Sequence, residues 1–372
     1  MAELVLTSVN KIYRPRRKAP VHAVKELNLT VKSGEIVALL GSSGCGKTST
    51  LRMIAGFEDV TSGTITLGGR AIHELPPSQR NVAMAFEAYS LYPPLTIGDN
   101  MGFALKAAKL SASETAAKVK AMAEMLDISG ILDRYPTSVS GGQQQRASLG
   151  RALVRKADLY LLDEPMGQLE PQLRAILRGR IKHYLREHNC TSILVTHDQT
   201  EANALADRIA VMEAGVLQQY ASPDGLKAEP ANLFTGTFIG EPPMNVFDAT
   251  VHASKSGVTF ELVGNKLELT TKELGADVVT LLGQHKTVTL GVRPHAVHAG
   301  RGGIKGKVVS CQWLGDQTHV AVDVGGRTIV SVTHDRVQQK PGSDISVAIE
   351  PAGLHIFDTA SGKALAHGGK VA

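Results

Sequence analysis

Gly41-Ser42-Ser43-Gly44-Cys45-Gly46-Lys47-Thr48 follows the apolar run Ile36-Val37-Ala38-Leu39-Leu40 and precedes a stretch through Ala55 that reads as a helix closed by Gly56. Few folds accommodate that order. A buried strand that stops in a glycine-rich turn and restarts as a helix points successive backbone N–H groups inward, and the helix N-terminus adds partial positive charge. The turn is then a cradle for phosphate oxygens, in the pattern GxxxxGK[ST]. In that pattern Lys47 reaches the β- and γ-phosphates of a nucleotide, and the Thr48 hydroxyl ligates Mg²⁺. The eight residues of the turn, with Ser49 after them, are the candidate cofactor-binding set. An ordinary glycine-rich turn does not explain the strand before it and the helix after it.

The rest of the first part alternates short apolar runs with helical segments, which predicts an α/β domain. Ser111-x-x-Glu114 is a capping box, after which Val119, Met122 and Leu126 recur at helical spacing. Leu159-Tyr160-Leu161-Leu162 and Ser192-Ile193-Leu194-Val195 read as central parallel strands whose carboxyl ends carry chemistry. Past a Pro- and Gly-bearing connection the character changes. Short alternating segments at 246–251, 258–263, 287–292, 305–310, 320–324, 328–332 and 345–349, separated by Gly, Asn and Asp, predict an all-β, barrel-like second domain. The expected division is residues 1–237 for the phosphate-loop α/β domain and 238–372 for the β-barrel; 372 residues suit two cores better than one.

Composition narrows the function classes. A net charge of +5, with aromatic residues scarce and nowhere interleaved with basic ones, does not point to nucleic acid. No apolar run approaches the ~20 residues of a membrane-spanning helix. The N-terminus, Met1-Ala2-Glu3-Leu4-Val5-Leu6, lacks the segments of a signal peptide. Work at a membrane would need spans borrowed from a partner. Cys45, Cys190 and Cys311 are odd in number and far apart, the pattern of free thiols in a reducing compartment. His183 with His188, and His295 with His298, have no Cys or carboxylate at metal-ligand spacing and read as solvated.

The run 159–162 ends in Asp163-Glu164. Asp163 suits a Mg²⁺-linked role and Glu164 that of a base or water-polarising group, although a strand meeting a solvated turn has the same appearance. Thr196-His197-Asp198 after the strand at 192–195 is placed to touch a γ-phosphate; a satisfied core histidine is the alternative. Between these lies Val139-Ser140-Gly141-Gly142-Gln143-Gln144-Gln145-Arg146, a Ser-Gly-Gly turn opening a helix.

With these motifs the chain resembles the ATP-binding-cassette (ABC) ATPases over nearly all its length. The run 139–146 is similar to their signature, shortly before an Asp163-Glu164 Walker B; residues 165–170 occupy the D-loop, 195–202 the H-loop, and 81–100 the Q-loop segment that contacts transmembrane subunits. The resemblance implies an ATPase working as a head-to-tail dimer, in which Ser140, Gly141, Gly142 and Gln143 of one protomer close on ATP held by the other. It assigns Tyr13 to stacking on adenine, a place a packing tyrosine fills as readily. Glu164 and His197 become the catalytic residues, and Thr48 and Asp163 the Mg²⁺ ligands. Glu87 falls where the Q-loop has Gln, a cofactor and metal position, and Glu170 falls where the D-loop has Asp.

Phe238-Ile239-Gly240-Glu241-Pro242-Pro243-Met244-Asn245, Gly291-Val292-Arg293-Pro294 and Trp313-Leu314-Gly315-Asp316 resemble the maltose- and glycerol-phosphate-type importers, whose oligonucleotide-binding-like (OB-like) barrel helps dimerise and regulate the ATPase. This implies a peripheral subunit at the cytoplasmic face of the inner membrane, energising carbohydrate-type uptake. Its partners would be two transmembrane permease subunits, a periplasmic or extracellular solute-binding protein and a second, identical or related ATPase. ATPases of oxyanion, metal or polyamine importers share the motifs. A soluble ABC ATPase acting on a macromolecule would show two fused cassettes or a long coiled-coil insertion, and this chain shows neither. The intact Walker B acid disfavours a purely regulatory nucleotide-binding module.

Overall fold

The computed structural model describes residues 2–14, 16, 19–86, 90–106, 108–262 and 264–372. The chain divides into two compact units, Met1–Pro223 and Asp224–Ala372.

In the first unit Ile36–Gly41, Leu159–Asp163 and Ser192–Val195 are buried at every residue, as continuous apolar runs are when both faces of a sheet are covered. Their sheet is ordered Val216–Ala221, Arg208–Glu213, Ile36–Gly41, Ser192–Val195, Leu159–Asp163, Val82–Ala85. All neighbours are parallel except the hairpin between Glu213 and Val216. That hairpin turns on Ala214 and Gly215, both at positive φ, the geometry that matches strand twist. A second, antiparallel sheet holds Val21–Val31, Leu4–Tyr13, Ser62–Leu67 and Arg70–Ala71. Leu4, Leu6, Val9 and Leu27 from it share one core with Leu39, Ile54, Leu161 and Val195. The expected capping box opens the helix Ala112–Met125, which buries Val119 and Met122.

In the second unit a sheet ordered Asn265–Thr270, Gly257–Leu262, Asn245–Ser254, Thr287–Val292, Leu354–Asp358, Ala364–His367, Lys370–Val371 accompanies another ordered Arg327–Thr333, Thr318–Val324, Val297–Trp313, Asp344–Ile349. Phe247, Phe260 and Leu290 from the one, and Val320, Val322 and Val347 from the other, form a common core. The seven expected β segments fall in these strands, except for Val263 at the end of the second, which lies outside the described residues. The short helices Thr271–Leu274 and Ala276–Leu282 were not expected.

The second unit also starts earlier than the expected boundary at 237/238. Buried Arg293 donates to the carbonyls of Lys227, Gly236 and Ile239, and Leu233 N–H and Ala364 N–H pair with Gly362 O and Ala231 O. These bonds tie the stretch 227–239 to the β-rich unit.

Candidate active site

The parallel strand Ile36–Gly41 feeds the phosphate loop, and Gly46 starts the helix Lys47–Ala55 from a left-handed conformation with φ 104°. A Cβ on Gly46 would lie 2.4 Å from the Ala23 carbonyl oxygen, so the residue must be glycine for both its φ and its packing. The N-cap, Gly46, has no side chain to cap this helix, which leaves its first N–H groups to the loop. Lys47 is buried and donates from Nζ to the carbonyls of Gly41 at 2.7 Å and Ser42 at 3.0 Å, with Cys45 Sγ 3.7 Å away. Ser42, Ser43 and Gly44 form the exposed tip, and Thr48 and Ser49 are half-buried. Tyr13 joins the loop's helix, its hydroxyl 3.1 Å from Ser49 Oγ, while Lys11 Nζ lies 4.9 Å from the ring centroid.

Two strands across, Asp163 ends its strand 5 % exposed, and its register partner on the intervening strand is Val195. Such burial does not fit a solvated turn. Glu164 follows at φ 46°, in the left-handed region that a non-glycine residue adopts at a cost of about 1 kcal/mol or more. Its Oε1 lies 3.0 Å from His197 Nδ1. The His197 side chain is 68 % exposed, which rules out the core-histidine alternative. The carboxyl ends of three adjacent strands thus bring the phosphate loop, Asp163-Glu164 and His197 to one edge of the sheet.

Three family models match the chain: an ABC transporter model over residues 24–167, a MalK OB fold domain over 240–297 and a TOBE domain over 290–357. The chain is 39 % identical over 381 residues to the trehalose/maltose import ATP-binding protein MalK of Thermococcus litoralis, covering 98 % of this chain and 100 % of that one. The chain belongs to the ABC transporter ATP-binding proteins. Also similar is the lactose transport ATP-binding protein LacK of Rhizobium radiobacter, 39 % identical over 98 % of this chain and 99 % of its own. The sn-glycerol-3-phosphate import ATP-binding protein UgpC of Cereibacter sphaeroides is 38 % identical over 98 % and 100 %. Among solved structures, a dimeric ATP-binding cassette in a post-hydrolysis state with ADP and Pi matches at a TM-score of 0.56 and 25 % identity, covering 59 % of this chain and 98 % of that chain.

In this ABC protein the signature turn is a second capping box: Ser140 Oγ accepts the Gln143 N–H at 3.3 Å, and Gln143 Oε1 accepts the Ser140 N–H at 2.9 Å. Gly141 and Gly142 are the first residues of the helix Gly141–Leu153. A Cβ on Gly142 would come within 3.2 Å of the Gln168 carbonyl oxygen, so this helix packs closely on the D-loop. Glu170 is the exposed residue before the helix Pro171–Glu187 and makes no side-chain capping bond. Glu87 lies outside the described residues, as do Ala88 and Tyr89. Phe86, Ser90, Tyr92, Phe103, Arg151 and Arg155 line a groove of ≈ 370 Å³. There the Tyr92 and Phe103 rings meet at 4.8 Å and Arg151 covers Tyr92.

Sequence reasoning missed the side chains that hold these loops. Gln145 donates to the Glu164 carbonyl at 2.8 Å and accepts the Gln168 N–H at 3.0 Å, fastening the signature helix to both Walker B and the D-loop. Glu201 is buried beneath the H-loop and accepts the Thr196 hydroxyl at 2.6 Å. Burial pushes its carboxyl up to about 7. The spacing Asp198-x-x-Glu201 is an N-terminal helix signal and could have identified the cap, though not the buried carboxyl.

Proposed function

We propose that this ATP-hydrolysing chain energises an importer of a carbohydrate-type solute (a sugar, sugar derivative or polyol, or glycerol phosphate). It acts from the cytoplasmic face of the membrane, on two permease subunits served by an external solute-binding protein. The observation that carries the ATPase chemistry is the convergence of the phosphate loop, Asp163-Glu164 and His197 at neighbouring strand ends. The solute class rests on relatives named for trehalose, maltose, lactose and sn-glycerol-3-phosphate. Among the described residues no helix is long and apolar enough to cross a membrane, so the chain's described helices supply no span of their own.

In this reading the loop N–H groups and Lys47 bind the β- and γ-phosphates, and Tyr13 takes the adenine. Mg²⁺ takes few protein ligands and completes its shell with phosphate and water, which the hard oxygens of Thr48 and buried Asp163 fit. When bound it neutralises phosphate charge. Glu164 orients the attacking water and accepts its proton, and His197, held by Glu164 at Nδ1, offers its exposed ring to the γ-phosphate. Ser140 to Gln143 close on the ATP of a second protomer, identical or related. The groove at Tyr92 and Phe103 takes a permease segment, and Glu87 is assigned the coupling role towards Mg²⁺ and water. The second unit, Asp224–Ala372, serves as the regulatory, dimer-supporting part.

Uptake assays test the reading. In a strain lacking this chain, labelled maltose, trehalose, lactose and glycerol 3-phosphate are supplied with either the parental chain or Lys47→Ala. Uptake of at least one solute should return only with the parental chain. If all four are unaffected while an oxyanion, metal or polyamine is lost, the solute class is wrong.

A further inference from the structure

Two loops bracket the Glu164 carboxylate: the D-loop that follows it, and the turn 196–198 that carries His197. A single guanidinium spans them. Arg174, in the first turn of the helix Pro171–Glu187, donates from Nη1 to Asp198 Oδ2 at 3.0 Å. Its Nη2 donates to the carbonyls of Gly167 at 3.3 Å and Leu169 at 3.2 Å. On the H-loop side Asp198 caps the helix Gln199–Leu205, accepting the Glu201 N–H at 3.0 Å. Burial raises the Asp198 pKa, but the bonds from the Glu201 N–H and Arg174 outweigh it and hold the carboxyl below its ordinary range. Thr196 fixes the other end of the turn, donating to Glu201 and accepting the Asp198 N–H at 3.0 Å. His197 therefore sits between two residues with committed side chains, and Arg174 ties that assembly to the loop leaving Glu164.

We propose that Arg174 is a positioning residue for ATP hydrolysis: it holds the D-loop and the His197 turn in the register that keeps the imidazole against Glu164. This rests on the reading of Glu164 and His197 as the hydrolytic pair. Charge-assisted bonds from a rigid planar fork fix direction as well as distance, and a lysine cannot reproduce three such contacts. Misplacement of a reacting group by about 1 Å costs on the order of a hundredfold in rate. The three bonds go to residues 167, 169 and 198 and none to the phosphate loop. Loss of Arg174 thus acts on turnover and leaves ATP affinity in place.

The test uses the full-length chain and measures kcat and KM for ATP together with thermal melting. Arg174→Met keeps the aliphatic stem and removes the donors. It should lower kcat by about tenfold or more with KM within about twofold. Asp198→Asn keeps a capping oxygen and removes the charge partner, and should give a smaller loss of the same kind. Arg174→Lys should recover part of the rate. Parental kcat in both Arg174→Met and Asp198→Asn overturns the proposal. So does a loss in both variants in which KM and melting temperature move with kcat, because Arg174 would then be a general support of the fold. His197→Ala, assayed alongside, separates the two levels. Parental turnover there sinks the hydrolytic role of His197 and the positioning role with it. An inactive His197→Ala beside a normal Arg174→Met sinks the positioning role alone.

Discussion

Burial sets the behaviour of Glu201 more than any charge near it. The groups acting on it are the Thr196 hydroxyl, Asp198, Arg174 and Arg178, and loss of water around the carboxyl outweighs them, raising it from 4.5 to about 7. Between those values the folded chain binds more protons than the unfolded one, so this group's contribution to stability falls as pH rises and levels off above about 7. The full swing is about 3 kcal/mol at most. Glu201→Gln should therefore gain on the parental chain as pH rises from 5 to about 7, and the difference should level off towards pH 8. Calorimetry across that range checks this, and a constant offset between the two proteins would contradict it. The same residue marks how far the site was legible. Lys47, Thr48, Asp163 and Glu164 stood out because their chemistry lies in contiguous motifs at the end of an apolar strand. Gln145, Arg174 and Glu201 act through bonds between segments that only the fold brings together, and a motif scan carries no trace of such bonds.

Two helices of the first unit open on the same device, and they separate structure from function. Ser111 begins the helix Ala112–Met125 and Ser140 begins the signature helix, each with a reciprocal capping box. Replacing either serine by alanine should cost about 1 kcal/mol, or roughly 2–4 °C in a unit of this size. ATPase activity should survive Ser111→Ala and fall about tenfold or more in Ser140→Ala, whose hydroxyl, in the proposed dimer, also meets the partner's ATP. Full activity in Ser140→Ala would remove the signature serine from the chemistry. Strands were read more readily than short helices for a reason visible in their residues. Thr287–Val292 alternates or runs apolar as a strand should. Ala276–Leu282 contains Val278, Val279 and Thr280, β-branched residues of low helix propensity, and it forms a helix because Val278, Val279 and Leu282 are buried by the surrounding unit. Leu233–Phe238 carries Thr235, Gly236 and Thr237 and relies on the Asn232 cap.

At the scale of the molecule, the sequence pattern separated an α/β unit from a β-rich one, but the boundary depended on Arg293, whose partners at 227, 236 and 239 are distant in the chain. In the proposed mechanism Glu164 activates water at a site completed by a second protomer, and the variant Glu164→Gln in the full-length chain tests it, with ATP turnover followed by phosphate release and assembly by light scattering. Glutamine keeps the size and most of the hydrogen bonding of the carboxylate but neither its charge nor its basicity. ATP should still bind, turnover should fall by at least about a hundredfold, and an ATP-dependent dimer should accumulate. Turnover near the parental rate, or a chain that stays monomeric with ATP bound, would contradict that claim.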